Sequence, residues 1–194
     1  MSSAFYVMCV GRTCTRIYYM MRKNLVLFCA LGALVFADGV AGIEWTRPAD
    51  WKDQGSRPMR AATYSVPAAA GDNEAGECVA FYFGEGQGGS ADANIKRWEG
   101  QFADASGKPV KATNVKPGKI GGLRVTTLEV AGTYSGMGGP MVQTKTIKPG
   151  YRLLGAIVEA PGGNVFFKFT GPEKTVAAHR QAFERMIASI KPRS

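Results

Sequence analysis

CVAFYFGEGQGGSADANIKRWEGQF, residues Cys78 to Phe102, decides the fold: it runs from an apolar strand through a glycine-dense loop into an amphipathic helix. Ile95, Trp98 and Phe102 recur at spacings of three and four, which predicts a helix over 90–102 with one apolar stripe lying on a sheet face. Trp98 is thereby expected to be a core side chain. Gly84-Glu85-Gly86-Gln87-Gly88-Gly89 satisfies GxGxxG between the predicted strand and helix, the setting in which that motif cradles a dinucleotide pyrophosphate. The full fingerprint also needs a second parallel strand ending in an acidic residue about 20 positions on. Here Asp104 follows a helix and precedes a polar, turn-rich stretch. Glu85 and Asp92 also put negative charge where a helix N-terminus would attract phosphate. The loop therefore reads as a wide strand-to-helix connection in which glycine tolerates positive φ, with Ser90 as N-cap and no cofactor.

Upstream, Met21-Arg22-Lys23 precedes the apolar run Leu25–Ala37 and then small residues through Gly42, the layout of a secretory signal. The run is too short to span a bilayer comfortably. Cleavage after Ala37 or after Ala41 fits the small-residue rule, and Ala41 is preferred, making 1–41 the signal peptide and 42–194 one domain. Residues 1–20 read as a long n-region or a misassigned start, with Met21 as the preferred first residue. Removing 1–41 takes four of the 24 basic and one of the 15 acidic residues, leaving a net charge of +6. That excess is scattered and not gathered into a stripe with interleaved aromatics, so no nucleic-acid partner is expected. Charge alone leaves anionic lipid or glycan as a minor partner class. Of four cysteines only Cys78 survives export, so the domain relies on a hydrophobic core, and Cys78 in its apolar strand reads as a small buried hydrophobe.

Downstream, Ile43–Arg60 is aromatic and broken by Pro48 and Pro58, and should wrap across the sheet. Arg60–Val66 and Glu77–Phe83 read as a strand pair. Lys111–Val115 and Leu123–Tyr134, then Met141–Ile147 and Tyr151–Glu159, read as strand pairs, with the turn chemistry of Lys116-Pro117-Gly118 and of Lys148-Pro149-Gly150 between their segments. Both faces of Tyr151–Ala160 are apolar, so that strand should be central. Val165, Phe167 and Phe169 mark another strand. Thr170-Gly171-Pro172-Glu173 fits a capping box opening a last helix over 173–190, with Val176, His179, Phe183, Met186, Ile187 and Ile190 as its inner stripe. The fold class is α+β, an antiparallel sheet of five to seven strands with two helices packed on it.

This element order, and most suggestively the ending NVFFKFTGPEKTVAAHRQAFERMIASI, resembles the PsbP-like family of α/β/α sandwiches from Ile43 to Ile190. Members of that family serve as extrinsic assembly or stabilising subunits of photosystem II, and a relative sharing the fold binds a small GTPase. The resemblance implies an interaction module, and no functional residue of that family matches a position here. The chain also resembles uncharacterised exported bacterial proteins with a glycine loop followed by an ANIxRW-like helix start.

Enzyme chemistry is thinly represented. After Gly42 there is one histidine and one cysteine, with no HExxH, CxxC, GxSxG or P-loop. His179 reads as a packed core-edge side chain. Carboxylate-only hydrolysis stays open as the alternative to a non-catalytic envelope module, and two carboxyls in one cleft with a raised pKa would favour it. A monomer is expected. The partner is unknown, a protein or other envelope component. Its expected contacts are the two glycine-rich loops, through Gly84, Gly86, Gln87, Gly89 and Ser90 and through Tyr134, Gly136, Met137 and Gly138. A shared site requires both loops at one end of the sheet; the competing reading is slack in a chain with 25 glycines.

Overall fold

Alternating apolar residues on both faces make Thr146–Ala160 (β9) the spine of the fold, as expected for Tyr151–Ala160. The computed structural model describes residues 37–136 and 146–193. Before β9 come the hairpin of β1 (Ala37–Val40) and β2 (Ile43–Thr46), the short β3 (Lys52–Asp53), and the pair β4 (Arg60–Val66) and β5 (Gly76–Tyr82). Helix α1 (Ala91–Glu99), β6 (Phe102–Ala103), β7 (Thr113–Ile120) and β8 (Leu123–Gly136) follow. After β9 come β10 (Gly163–Pro172), α2 (Glu173–Ala178), α3 (Arg180–Ala188) and β11 (Lys191–Pro192).

The main sheet is antiparallel, in the order β3-β4-β5-β10-β9-β8-β6 with β7 also paired to β8; β1, β2 and β11 form a separate three-stranded sheet. This α+β sandwich has the expected class and more strands than the five to seven expected. The eight strands of the main sheet include two-residue stubs, β3 and β6, too short to carry a periodic signal.

Leu154, Ala156, Val158, Phe167 and Phe169 face α2, α3 and the aromatic N-terminal segment, burying Phe183, Met186 and Ile187. The opposite face, with Leu128, Leu153, Ile157 and Phe166, receives Trp98 and Phe102. Cys78 is fully buried, and burial pushes its thiol pKa well up, as suits a core side chain.

Four local expectations change. Both Lys-Pro-Gly segments lie within strands: Pro117 sits on β7, where pairing is one-sided, and Pro149-Gly150 forms a bulge opposite β8 between Tyr134↔Lys148 and Gly132↔Tyr151. The β7–β8 turn falls at Gly121-Gly122 instead, both at positive φ. The last helix breaks at His179, whose φ of −99° and ψ of 7° separate α2 from α3. The capping box does not form; Asp72 Oδ2 accepts from the Thr175 backbone N–H and hydroxyl. The 90–102 helix ends at Glu99, because Gly100 caps it and Phe102 pairs with Tyr134 in the sheet.

His179 packs as expected. Its Nε2 lies 3.1 Å from the Pro67 carbonyl, and Trp51 Nε1 donates to Nδ1 at 3.4 Å.

Candidate functional site

Sheet direction decides the two-loop expectation. β10 is antiparallel to β5 and to β9, and β9 is antiparallel to β8, so β5 and β8 run oppositely. The Gly84–Gly89 loop leaves one end of the sheet, and β8 ends at Gly136 at the other. Gly84, Gly86, Gln87, Gly89 and Ser90 therefore share no site with Tyr134 and Gly136. Met137 and Gly138 lie outside the described residues, as do residues 1–36 of the 1–41 stretch expected to be a signal peptide.

Nor is the first loop slack. Asn94, buried on α1, donates through Nδ2 to Gly88 O at 2.8 Å, and Asn164 donates to Gly89 O at 3.2 Å. A Cβ on Gly88, whose φ is +87°, would stand 2.7 Å from the Phe166 ring and 2.8 Å from Phe83, so only glycine lets the loop lie this close. Ser90 caps α1 as expected, accepting from Ala93 N.

What the loop does is hang α1 over half of a sheet face, and beside the helix that face stays open as a cleft of about 560 Å³. Sheet register builds its floor in rows. Phe81 pairs with Phe166, then Val79 with Lys168 and Lys168 with Gly155, then Glu77 with Thr170. The apolar parts are ordered ring against ring: Phe81 and Phe83 stack at 6.2 Å with 2° between planes, Tyr134 and Tyr151 at 5.8 Å with 6°. Tyr134, expected in a loop contact, is thus a wall of the cleft.

Arg60, Arg97, Lys148 and Lys168 all line this space. Two are neutralised. Arg60 pairs with Glu77 at 3.0 Å, and Lys148 pairs with Glu74, which also accepts from the Tyr151 hydroxyl. Lys148 and Tyr151 hold the Glu74 carboxyl below its ordinary pKa. The other two cations have only neutral partners among the described residues. Arg97 Nη1 donates to Asn94 Oδ1 at 2.9 Å, and Lys168 Nζ donates to Gln101 Oε1 at 2.6 Å and to Tyr134 OH at 3.2 Å. Burial lowers the Lys168 pKa to about 8, against a smaller opposing pull from Glu77 and with a push in the same direction from Arg60. Burial likewise raises Tyr134 and Tyr151.

The carboxyls whose pKa departs from its ordinary value, Glu74, Glu99, Asp104 and Glu129, are all held below it. That is opposite to the protonated acid a carboxylate hydrolase needs. Among the described residues no group of three or more His, Cys, Asp or Glu is arranged to hold a metal ion, and no helix is long and apolar enough to cross a membrane. The cleft is equipped to hold an anion against aromatic surface. Sequence reasoning missed it because Lys168 lies 67 residues from Gln101, with Arg97 one helical turn further back; the one available signal was the lysine interrupting the aromatic run Val165–Phe169.

No protein family matches the chain, and no curated protein does. Solved structures are similar to it. LpqN of Mycobacterium tuberculosis, involved in cell envelope biogenesis, is 14% identical at a TM-score of 0.50, covering 84% of this chain and 88% of LpqN. Cyanobacterial PsbP (CyanoP) of Synechocystis sp. PCC 6803 is 15% identical at a TM-score of 0.49, covering 84% of this chain and 95% of CyanoP. A Pseudomonas aeruginosa protein of unknown function is 14% identical at 0.49, covering 82% of this chain and 98% of its own. At such identities likeness concerns fold alone, and no residue's role is carried across. LpqN shares the fold of this chain.

Proposed function

We propose that this is an exported, non-catalytic binding module of the cell envelope, and that its binding face is the cleft beside α1. Export rests on the charged-then-apolar opening at Met21–Ala37. The envelope setting draws on the fold shared with LpqN, a protein involved in envelope biogenesis. The observation that carries the binding reading is Lys168, a largely buried ammonium with only neutral hydrogen-bond partners, facing an open, aromatic-lined space. Such a group is costly to keep in an empty fold and useful in an occupied one.

The test is native mass spectrometry of the protein after incubation with a small-molecule extract of the envelope fraction. Wild type should retain a low-mass adduct. Ala75→Trp, which fills the mouth of the cleft from an exposed loop position, should lose it. No adduct with wild type, or an adduct equally retained by Ala75→Trp, overturns the reading.

A further inference from the structure

We infer that the ligand of this cleft is a small organic anion with a flat, apolar body, its anionic head resting on the Lys168 ammonium. The inference rests on the cleft being the binding face and adds the chemistry of what fills it. An ammonium has three donors. Lys168 uses two, toward Gln101 Oε1 and Tyr134 OH, and the third has no partner among the described residues. A carboxylate or similar oxyanion would take that donor and supply the missing counter-charge, forming a charge-assisted bond in a desolvated place.

The surrounding charges leave room for it. From β5 Glu77 faces Lys168, but it is ion-paired with Arg60 of β4; from α1 comes the cation Arg97; Lys148 of β9 is matched by Glu74. An added anion therefore meets cations without a compensating carboxylate.

The rings define the rest. A head group alone needs no apolar floor, yet the partly exposed rings of Phe81, Phe83 and Tyr134 line the same space as Lys168, and planar groups stack on such rings. A volume of about 560 Å³ falls in the range that encloses a small molecule.

The test is isothermal titration of the purified protein with 2-naphthoate, its neutral isostere 2-naphthamide, and acetate. At pH 7 naphthoate should bind about tenfold or more tightly than the amide, since one charge-assisted contact separates them, and acetate should not compete at equal concentration. In Lys168→Met the preference should shrink to about threefold or less, and in Arg97→Gln it should fall part of the way. In wild type the preference should decline as pH rises past about 8, where the lysine loses its proton, and Lys168→Met should show no such decline. Equal affinity for acid and amide, acetate competing as well as naphthoate, an unchanged preference in Lys168→Met, or no binding of any probe would each overturn the ligand class. An extract adduct lost in Ala75→Trp alongside any of these would leave the cleft as the binding face and discard only the anion.

Discussion

Gly155 of β9 lies directly beneath Trp98 of α1: a Cβ on Gly155 would stand 2.4 Å from Trp98 Cζ3 and 3.0 Å from Cε3. The missing side chain, and no backbone freedom, sets how low the helix sits, and so sets one wall of the cleft. Gly155→Val should lift α1 and cost about 1–3 kcal/mol by overpacking. Urea unfolding measures the loss, and a red shift of tryptophan emission should accompany it. A change under about 0.5 kcal/mol, the ordinary scatter of surface substitutions, would mean α1 is not seated on that glycine.

Lys168→Met should stabilise the unliganded protein at pH 7 by about 1–2 kcal/mol, because it removes a buried ammonium that has no carboxylate partner. The folded pKa of about 8 lies below the ordinary 10.5, so between these values the unfolded chain holds more of the proton. The lysine's burden is complete below pH 8 and lifts as pH rises toward 10.5. Denaturant melts at pH 7 and 9.5 should show the variant's advantage narrowing. A variant less stable than wild type at pH 7 would make Lys168 a structural residue.

Much of the frame was legible because period-2 and period-3.6 patterns report burial directly: the Tyr151–Ala160 spine, the Trp98 stripe and the closing helical segment all follow from apolar spacing. What was illegible depends on partners distant in sequence. Whether Lys-Pro-Gly turns or continues a strand is decided by the neighbouring strand, and both copies here continue. The capping role of Thr170 and Glu173 passed to Asp72, about a hundred residues upstream in the Thr175 hydrogen bond. Glycine density suggested two pliable loops, whereas at Gly88 the cause is the approach of two phenyl rings. The cleft itself was hidden, since its cations acquire meaning only once sheet register sorts paired from unpaired charges.

Glu129, nearly buried, receives Arg180 at 2.8 Å, Asn114 at 3.2 Å and also Arg152. Burial alone would raise its pKa, yet the hydrogen bonds from Arg180 and Asn114 outweigh it and hold the carboxyl below 4.5. Its contribution is complete above the ordinary carboxylate value and is lost as pH falls through the lowered one. Glu129→Gln should therefore flatten the acid side of the stability curve below about pH 5. Glu129→Leu, which leaves Arg152 and Arg180 only their more exposed partners Glu173 and Glu184, should cost about 3 kcal/mol at pH 7. Identical acid-unfolding profiles for wild type and Glu129→Gln would contradict this.

In the N-terminal hairpin, the Tyr64 hydroxyl donates to Asp38 Oδ2 at 2.6 Å and accepts from Trp45 Nε1 at 2.9 Å. β1 also pairs with β2 through Ala37↔Thr46 to Val40↔Ile43. Cleavage after Ala41 would discard that strand and leave the buried Tyr64 hydroxyl without its acceptor, a loss of about 1–3 kcal/mol. We therefore expect processing after Ala37 in place of the Ala41 preferred from sequence alone. If the chain is exported as proposed, the intact mass of the processed protein should correspond to a start at Asp38; a start at Gly42 would refute it.

The cleft as binding face is tested most directly by amide chemical-shift mapping of the isotope-labelled protein as envelope small-molecule extract is titrated in. The largest shifts should fall on Val79, Phe81, Phe166 and Lys168 of the sheet and on Arg97 and Gln101 at the α1 end, with Gly84–Gly86 and α3 little changed. Shifts concentrated on the Gly84–Gly89 loop or on α3, with Lys168 and its sheet neighbours silent, would contradict the account.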